Sequence, residues 1–432
     1  MEAPIMTAKL ISCGLIAALV AVAGLHAEDA EPPAPSLLDL VMKTRTARLA
    51  GDAQGWLAHG QETLKRAPEH PDLLISVARA SAANGRFDEA AEFLAQAIER
   101  GAGFDLATFP EFKDAADRAW LKSLAERALV NQQPVSPPEV FLVIKDTRIR
   151  PEGITYDAEG GRLLIGSLGG EIWQIDLQGK LSRFAGPDSG LREVLGMKVD
   201  AQRGLLWAVS GVFPDLFAPA DESKKDVGLT GVLTFKLETG ERVQECWLDE
   251  RPTLHGFNDL AIAKNGDVYV SDSTANSIYR LPQGECRLER LLQDAAMSFP
   301  NGIALAPEEA LLYVAHIEGL SAIDPRSGRR TQLAVPTNAA VNSIDGLVVD
   351  GVDLLGIQAS PYLARIVRIR LGEDGLSVRD VAVVSSRPPT GLSQTTGVVV
   401  GSHFYSVAGF PDGLAPAGEA ERPSHVLRSS LR

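Results

Sequence analysis

The sequence predicts a mainly β protein, a six-bladed β-propeller preceded by a small α-helical region. Two observations carry that expectation. From Val140 onward the apolar pattern changes from helical periodicity to short runs separated by Gly-rich turns, as in Ile154–Asp157, Arg162–Ser167 and Glu171–Asp176. A polar–Gly–aliphatic triplet also recurs, each time opening such a run: Glu152-Gly153-Ile154, Asn301-Gly302-Ile303 and Asp345-Gly346-Leu347. Asn258-Asp259-Leu260 has the same shape with Asp in place of Gly, and Leu195-Gly196-Met197 and Thr396-Gly397-Val398 fill two more slots. The six slots open at 152, 195, 258, 301, 345 and 396, a period of tens of residues with several short strands in each. That is the signature of radially repeated blades.

The elements follow in order. Residues 36–130 read as helices. Leu37, Leu38, Leu40, Val41 and Leu49 give the first apolar face. Pro71 to Gly101 reads as two helices around Asn84-Gly85. Asp72 is expected to cap the first of them and Asp88 to open the second. Small Ala78, Ala90 and Ala97 stand where two helices approach closely, and the pair resembles a tetratricopeptide repeat. One or two such repeats rarely bury a face alone, so this region is expected to pack on its own tail or on the propeller. A generic helical hairpin is the competing reading. Gln132 to Pro138 is a Pro-rich boundary, and the propeller is expected over 139–432. Phe141–Ile144 is expected to pair with C-terminal strands and close the ring, which removes exposed edges. The long step from 195 to 258 holds an insertion, Phe213 to Gly228, expected to loop over one face.

Composition narrows the function classes. The chain has 432 residues and a net charge of −14, with no dense basic run, which argues against a nucleic-acid partner. Lys9, the apolar run Leu10 to Leu25 and Ala27 read as a secretory signal over 1–27, followed by an acidic, Pro-rich linker at 28–35. The expectation is an exported protein, periplasmic or secreted, with no membrane association beyond the signal segment. Cys246 and Cys286 lie at similar places in adjacent repeats. An oxidising compartment would allow them to pair, and two free thiols are the competing reading.

All blades of a propeller point at one axis, so residues at one phase of the repeat converge there. Four of the six are Glu152, Asn258, Asn301 and Asp345, an all-oxygen set that suits a hard divalent cation. The bland alternative is that they are turn residues that merely start inner strands. Where the first strand of each blade runs away from this point, the next returns to it, so Ser167, Asp272, His316 and Ser360 are expected at the same face. Of these, Asp272, His316 and Ser360, together with His255 just upstream of Asn258, are candidate substrate-binding residues. His316 competes with a reading as a hydrogen-bonded strand-end histidine. There is no Gly-x-Ser-x-Gly elbow, P-loop, dinucleotide fingerprint or zinc-spaced histidine pair.

Pro151-Glu152-Gly153-Ile154, Phe257-Asn258-Asp259-Leu260 with Gly266 to Ser273, Pro300-Asn301-Gly302-Ile303 and Ile344-Asp345-Gly346-Leu347 together resemble the SMP-30/gluconolactonase/LRE-like family. The resemblance spans about residues 150–410. Its superfamily of six-bladed propellers also holds paraoxonases and strictosidine synthases. The resemblance implies one divalent cation, Ca²⁺ foremost with Mn²⁺ and Zn²⁺ as other choices. Glu152, Asn301 and Asp345 match the family's ligands and Asn258 the adjacent position, a ligand too in the paraoxonase branch. Asp345 matches the residue proposed there as general base. The implied activity is hydrolysis of a lactone or related ester. The rival is a non-catalytic propeller that binds a protein or small ligand around a structural ion, with the helical region as a protein-docking element.

Overall fold

The computed structural model describes residues 35–214, 225–411 and 422–432. The signal segment, nearly all of the linker and the middle of the Phe213–Gly228 insertion lie outside the described residues. Among the described residues no helix is long and apolar enough to cross a membrane.

Six four-stranded antiparallel sheets form the propeller. Blade 1 opens with Pro151–Asp157, blade 2 with Glu193–Asp200, blade 3 with Phe257–Ile262, blade 4 with Ile303–Leu305, blade 5 with Ile344–Asp350 and blade 6 with Leu392–Val400. Each of these first strands packs against the first strands of both neighbours, so all six surround the axis. Glu139–Ile144 forms the outer strand of blade 6, paired antiparallel with Ser424–Ser430, and the ring is closed by joining the first and last strands of the propeller. This is the closure expected from the apolar run at Phe141.

A β-bulge sits at the repeated motif. The pairing of first and second strands skips a register between Pro151 and Gly153, Val194 and Met197, Phe257 and Leu260, Ile344 and Leu347, and Gln394 and Gly397. A bulge leaves a residue out of the ladder and re-aims its side chain. The glycine of the triplet has its own cause. A Cβ on Gly302 would lie 2.5 Å from both Asp345 O and Leu347 N of the next blade. The Gly302 N–H in fact donates to Asp345 O at 2.8 Å. A Cβ on Gly153 would likewise collide with the Leu195 carbonyl of blade 2. The polar–Gly repeat therefore records two constraints: a side chain released toward the axis, and a backbone touching the next blade.

The helical region consists of α1 (Leu37–Leu49), α2 (Ala53–Arg66), α3 (Pro71–Ala83), α4 (Phe87–Glu99) and α5 (Ala119–Val130), with short 3₁₀ turns between α4 and α5. Ser36 caps α1 through a reciprocal bond with Asp39. Asp72 does not cap α3. His70 is the N-cap residue and makes no side-chain cap bond, while the Asp72 carboxylate in the first turn accepts from Ser360 Oγ of blade 5 at 2.6 Å. Ala78, Ala90 and Ala97 are fully buried in one apolar cluster with Phe104, Phe109 and Phe112. Ala340, Leu363 and Tyr362 of blade 5 belong to the same cluster, so the helices pack on their own tail and on the propeller together.

Cys246, on the outer strand of blade 2, is disulfide-bonded to Cys286, in the turn before the outer strand of blade 3.

Candidate functional site at the axial mouth

The triplet residues stand at the starts of the inner strands, at one end of the axial channel. Glu152 and Asn258 are 7% and 5% exposed, and Asn301 and Asp345 are half-buried. Three oxygens from three blades, Glu152 Oε2, Asn258 Oδ1 and Asn301 Oδ1, are buried and make no hydrogen bond within the protein. Buried acceptors without a donor cost about 1–3 kcal/mol each. The Asn301 side chain also hydrogen-bonds Asp345.

Two carboxylates so placed repel each other, and burial removes solvent stabilisation of their charge. Burial, then the charges of Asp345 and Asp259, push the Glu152 pKa well above the ordinary carboxylate value, with Lys198 opposing. Burial is also the main cause at Asp345, whose pKa is pushed up to about 7. The Asn301 hydrogen bond opposes this rise and the Asp259 charge adds to it. Both shifts describe a site that favours positive charge: a proton, or a cation bound by oxygen.

Asp259 and Lys198 belong to this cluster and are not evident from the sequence pattern. Asp259 stands in the motif's glycine place and is 2% exposed. Its Oδ1 accepts from its neighbour Leu260 N–H at 2.8 Å and from Lys198 Nζ at 3.3 Å. The signal for Asp259 is the one slot where Gly is replaced. The signal for Lys198 is its place two residues past Gly196, on the channel side of the same strand. Along the same inner strands lies a cavity of about 350 Å³, with Ile154, Ala261, Ile303, Leu347 and Val398 among its walls. Among the described residues no group of three or more His, Cys, Asp and Glu side chains is arranged to hold a metal. The converging set at the mouth is instead two carboxylates and two amides.

The other candidate residues have their polar groups engaged within the protein. His255 Nδ1 is 2.6 Å from Asp272 Oδ2, and Nε2 is 3.2 Å from Glu250 Oε2. Asp272 Oδ1 accepts from Gly256 N at 3.0 Å and Ala275 N at 3.1 Å, so this pair holds the loop that enters Asn258. Burial works against a charge on His255, but Asp272 and Glu250 outweigh it and raise its pKa. His316 is saturated, with Nδ1 at 3.0 Å from Glu318 and Nε2 at 2.8 Å from Ser321. Burial lowers its pKa and holds it neutral. Ser321 lies on the third strand of blade 4, so this imidazole is tied to the blade's outer layers. Ser167 Oγ accepts from Arg150 N and Gly169 N, and Ser360 bonds Asp72 of the helical region.

The likenesses to known proteins follow this geometry. No curated protein sequence matches the chain significantly. Among solved structures, the chain is similar to a calcium-binding protein, regucalcin, from Agrobacterium tumefaciens, at 16% identity and TM-score 0.47, covering 69% of this chain and 97% of that one. It is similar to the PQQ-bound aldose sugar dehydrogenase of Streptomyces coelicolor at 12% identity and TM-score 0.45, covering 69% and 100%. It is also similar to virginiamycin B lyase of Staphylococcus aureus at 13% identity and TM-score 0.44, covering 69% and 99%. No chemistry carries over at these levels. The family model for the SMP-30/gluconolactonase/LRE-like region matches residues 151–370, the first five blades up to the third strand of blade 5. With the motif residues of those blades gathered at one mouth, the chain belongs to the SMP-30/gluconolactonase/LRE-like family.

Proposed function

We propose that this protein is a divalent-metal-dependent hydrolase of a lactone or related ester, working at the axial mouth. The observation that carries the reading is the trio of buried acceptor oxygens without donors, Glu152 Oε2, Asn258 Oδ1 and Asn301 Oδ1, beside the Asp345 carboxylate. Acceptors gathered without donors fit a cation better than they fit water, and an all-oxygen, doubly anionic set fits Ca²⁺ first, then Mn²⁺. Glu152, Asn258, Asn301 and Asp345 would hold it. When bound, such an ion supplies Lewis-acid polarisation of an ester carbonyl and acidifies water.

The chain's own residues do the rest in this reading. Asp345 takes a proton from the water that attacks the carbonyl, and the Asn301 side chain orients its carboxylate. The Lys198–Asp259 ion pair limits the negative charge beneath the site. The family membership supports a lactonase-like reaction. The Cys246–Cys286 disulfide supports export to an oxidising compartment, because such bonds are rare in the cytosol.

Hydrolysis of a panel of small lactones and aryl esters under Ca²⁺, Mn²⁺ and Zn²⁺ tests the reading. Turnover is expected to need a divalent ion and to fall roughly 10²–10⁴-fold in Asp345→Asn with the fold intact. A protein whose melting temperature rises with metal, yet which turns over nothing in the panel, would favour the rival of a binding propeller with a structural ion.

A further inference from the structure

The four oxygen-bearing residues are held in two different ways. Glu152 and Asn258 are held from within the ring. The Glu152 carbonyl accepts from Thr395 and Thr396 of blade 6. Asn258 lies between Phe257 N–H, which donates to Thr230 Oγ1, and Asp259 N–H, which donates to Ser271 Oγ. Asn301 and Asp345 are different. Two residues before each, the chain takes a left-handed conformation at a residue that is not glycine: Phe299 at φ +54° and Ser343 at φ +56°. Such a conformation is strained for a residue with a Cβ and persists where the surroundings impose it.

At both loops part of that imposition comes from the helical region. Leu37 N–H of α1, fully buried, donates to Ser298 Oγ at 2.9 Å, directly before Phe299. Glu318 accepts from Ser298 N and Oγ, both at 2.8 Å, and lies 3.5 Å from Arg66 Nη2 of α2. Arg66 also donates to the Ala295 carbonyl at 3.0 Å. At the second loop, Asp72 of α3 accepts from Ser360 Oγ at 2.6 Å and from Ser343 Oγ at 3.4 Å, and His70 Nε2 lies 3.5 Å from the same hydroxyl. Ser343 O in turn accepts from Ala359 N at 2.9 Å, so Asp72 grips the segment that enters the first strand of blade 5 and the segment that leaves the second.

We propose that the helical region is a brace built into the functional site, with Asp72 and the α1–α2 contacts as positioning elements that fix the Asn301 and Asp345 loops for cation binding. The proposal rests on the metal reading above and gives it a division of labour. The propeller presents Glu152 and Asn258 unaided, and the helices set the other two. None of this depends on a docking partner for the helices.

Calorimetric titration of the full-length protein with Ca²⁺ tests it, comparing wild type, Asp72→Ala, Asp72→Asn and Arg387→Ala. Arg387→Ala removes a different contact between helices and propeller, its bond to the Gly103 carbonyl, and is the control. The expected result is Ca²⁺ binding weakened by roughly tenfold or more in Asp72→Ala, the scale of outer-shell effects on metal sites. Asp72→Asn, which keeps an acceptor for Ser360, recovers part of the loss, and Arg387→Ala binds as wild type. Amide hydrogen exchange on the metal-free protein gives an independent readout. Peptides covering 340–346 exchange faster in Asp72→Ala and not in Arg387→Ala. Equal Ca²⁺ affinity in wild type and Asp72→Ala overturns the brace, as does exchange that is unchanged or rises equally in the control. A wild type that binds no divalent cation sinks the metal reading itself, while the exchange comparison still decides whether the helices hold the loop.

Discussion

His255 shows how one residue near the mouth is fixed by charge. It has no exposed surface, and both ring nitrogens face carboxylates, Asp272 and Glu250. Burial alone would lower its pKa, yet the two carboxylates raise it above the usual histidine value. The folded state therefore holds this proton more tightly than the unfolded chain does. The stabilisation is fully present below the unfolded pKa of about 6.5 and is lost as pH rises through the higher folded value. His255→Gln should accordingly lower the urea midpoint more at about pH 5.5 than at about pH 8.5. A difference that stays constant across this range, or grows with pH, would show that His255 is neutral and only packs.

The element that defines the site is the bulge with its glycine. Gly302 has no room for a side chain, because the intruding atoms on blade 5 are backbone, Asp345 O and Leu347 N, and cannot rotate away. Gly302→Ala is expected to destabilise the fold by roughly 1–3 kcal/mol, the usual cost of overpacking, and to shift Asp345 with it. Chemical denaturation with and without Ca²⁺ checks both parts: a lower midpoint without metal, and a smaller rise on adding it. A midpoint equal to wild type would mean that the blade contact is loose. This element was legible in the sequence because its two constraints leave a mark at every turn of the repeat. An oxygen side chain followed by a glycine against the next blade recurs at 152, 301 and 345, with a bulge at the first and last of these. Asp259 was harder to read for the same reason. It occupies the glycine place, and its partnership with Lys198 joins two blades without leaving a local pattern. Asp72 was misread as a helix cap because its position in α3 fits that role locally, whereas its partner Ser360 lies 288 residues away.

At the scale of the whole molecule, stability depends on how six similar sheets are kept in one ring. Blade 6 joins the first and last strands of the propeller, Glu139–Ile144 and Ser424–Ser430, so the ring has no open seam where its strands begin and end. The helices tie blades 4 and 5 from the mouth side. Blades 2 and 3 carry a third kind of tie, the Cys246–Cys286 bond, with a sequence separation of 40 residues. Spacing alone left two free thiols open as an alternative, since a bridge is set by where two outer elements meet in space. Cross-linking a loop of that size removes conformational freedom from the unfolded chain and is expected to contribute roughly 2–4 kcal/mol. Cys246→Ser with Cys286→Ser should therefore lower the unfolding free energy by that amount, and reductant should do the same to the wild type and nothing to the double variant. The loss should be the same with and without Ca²⁺, because neither sulfur lies at the mouth, and this separates the ring's own cohesion from the site that it carries. A wild type indifferent to reductant and equal to the double variant would show that the bridge contributes nothing and that blade packing alone holds this part of the ring.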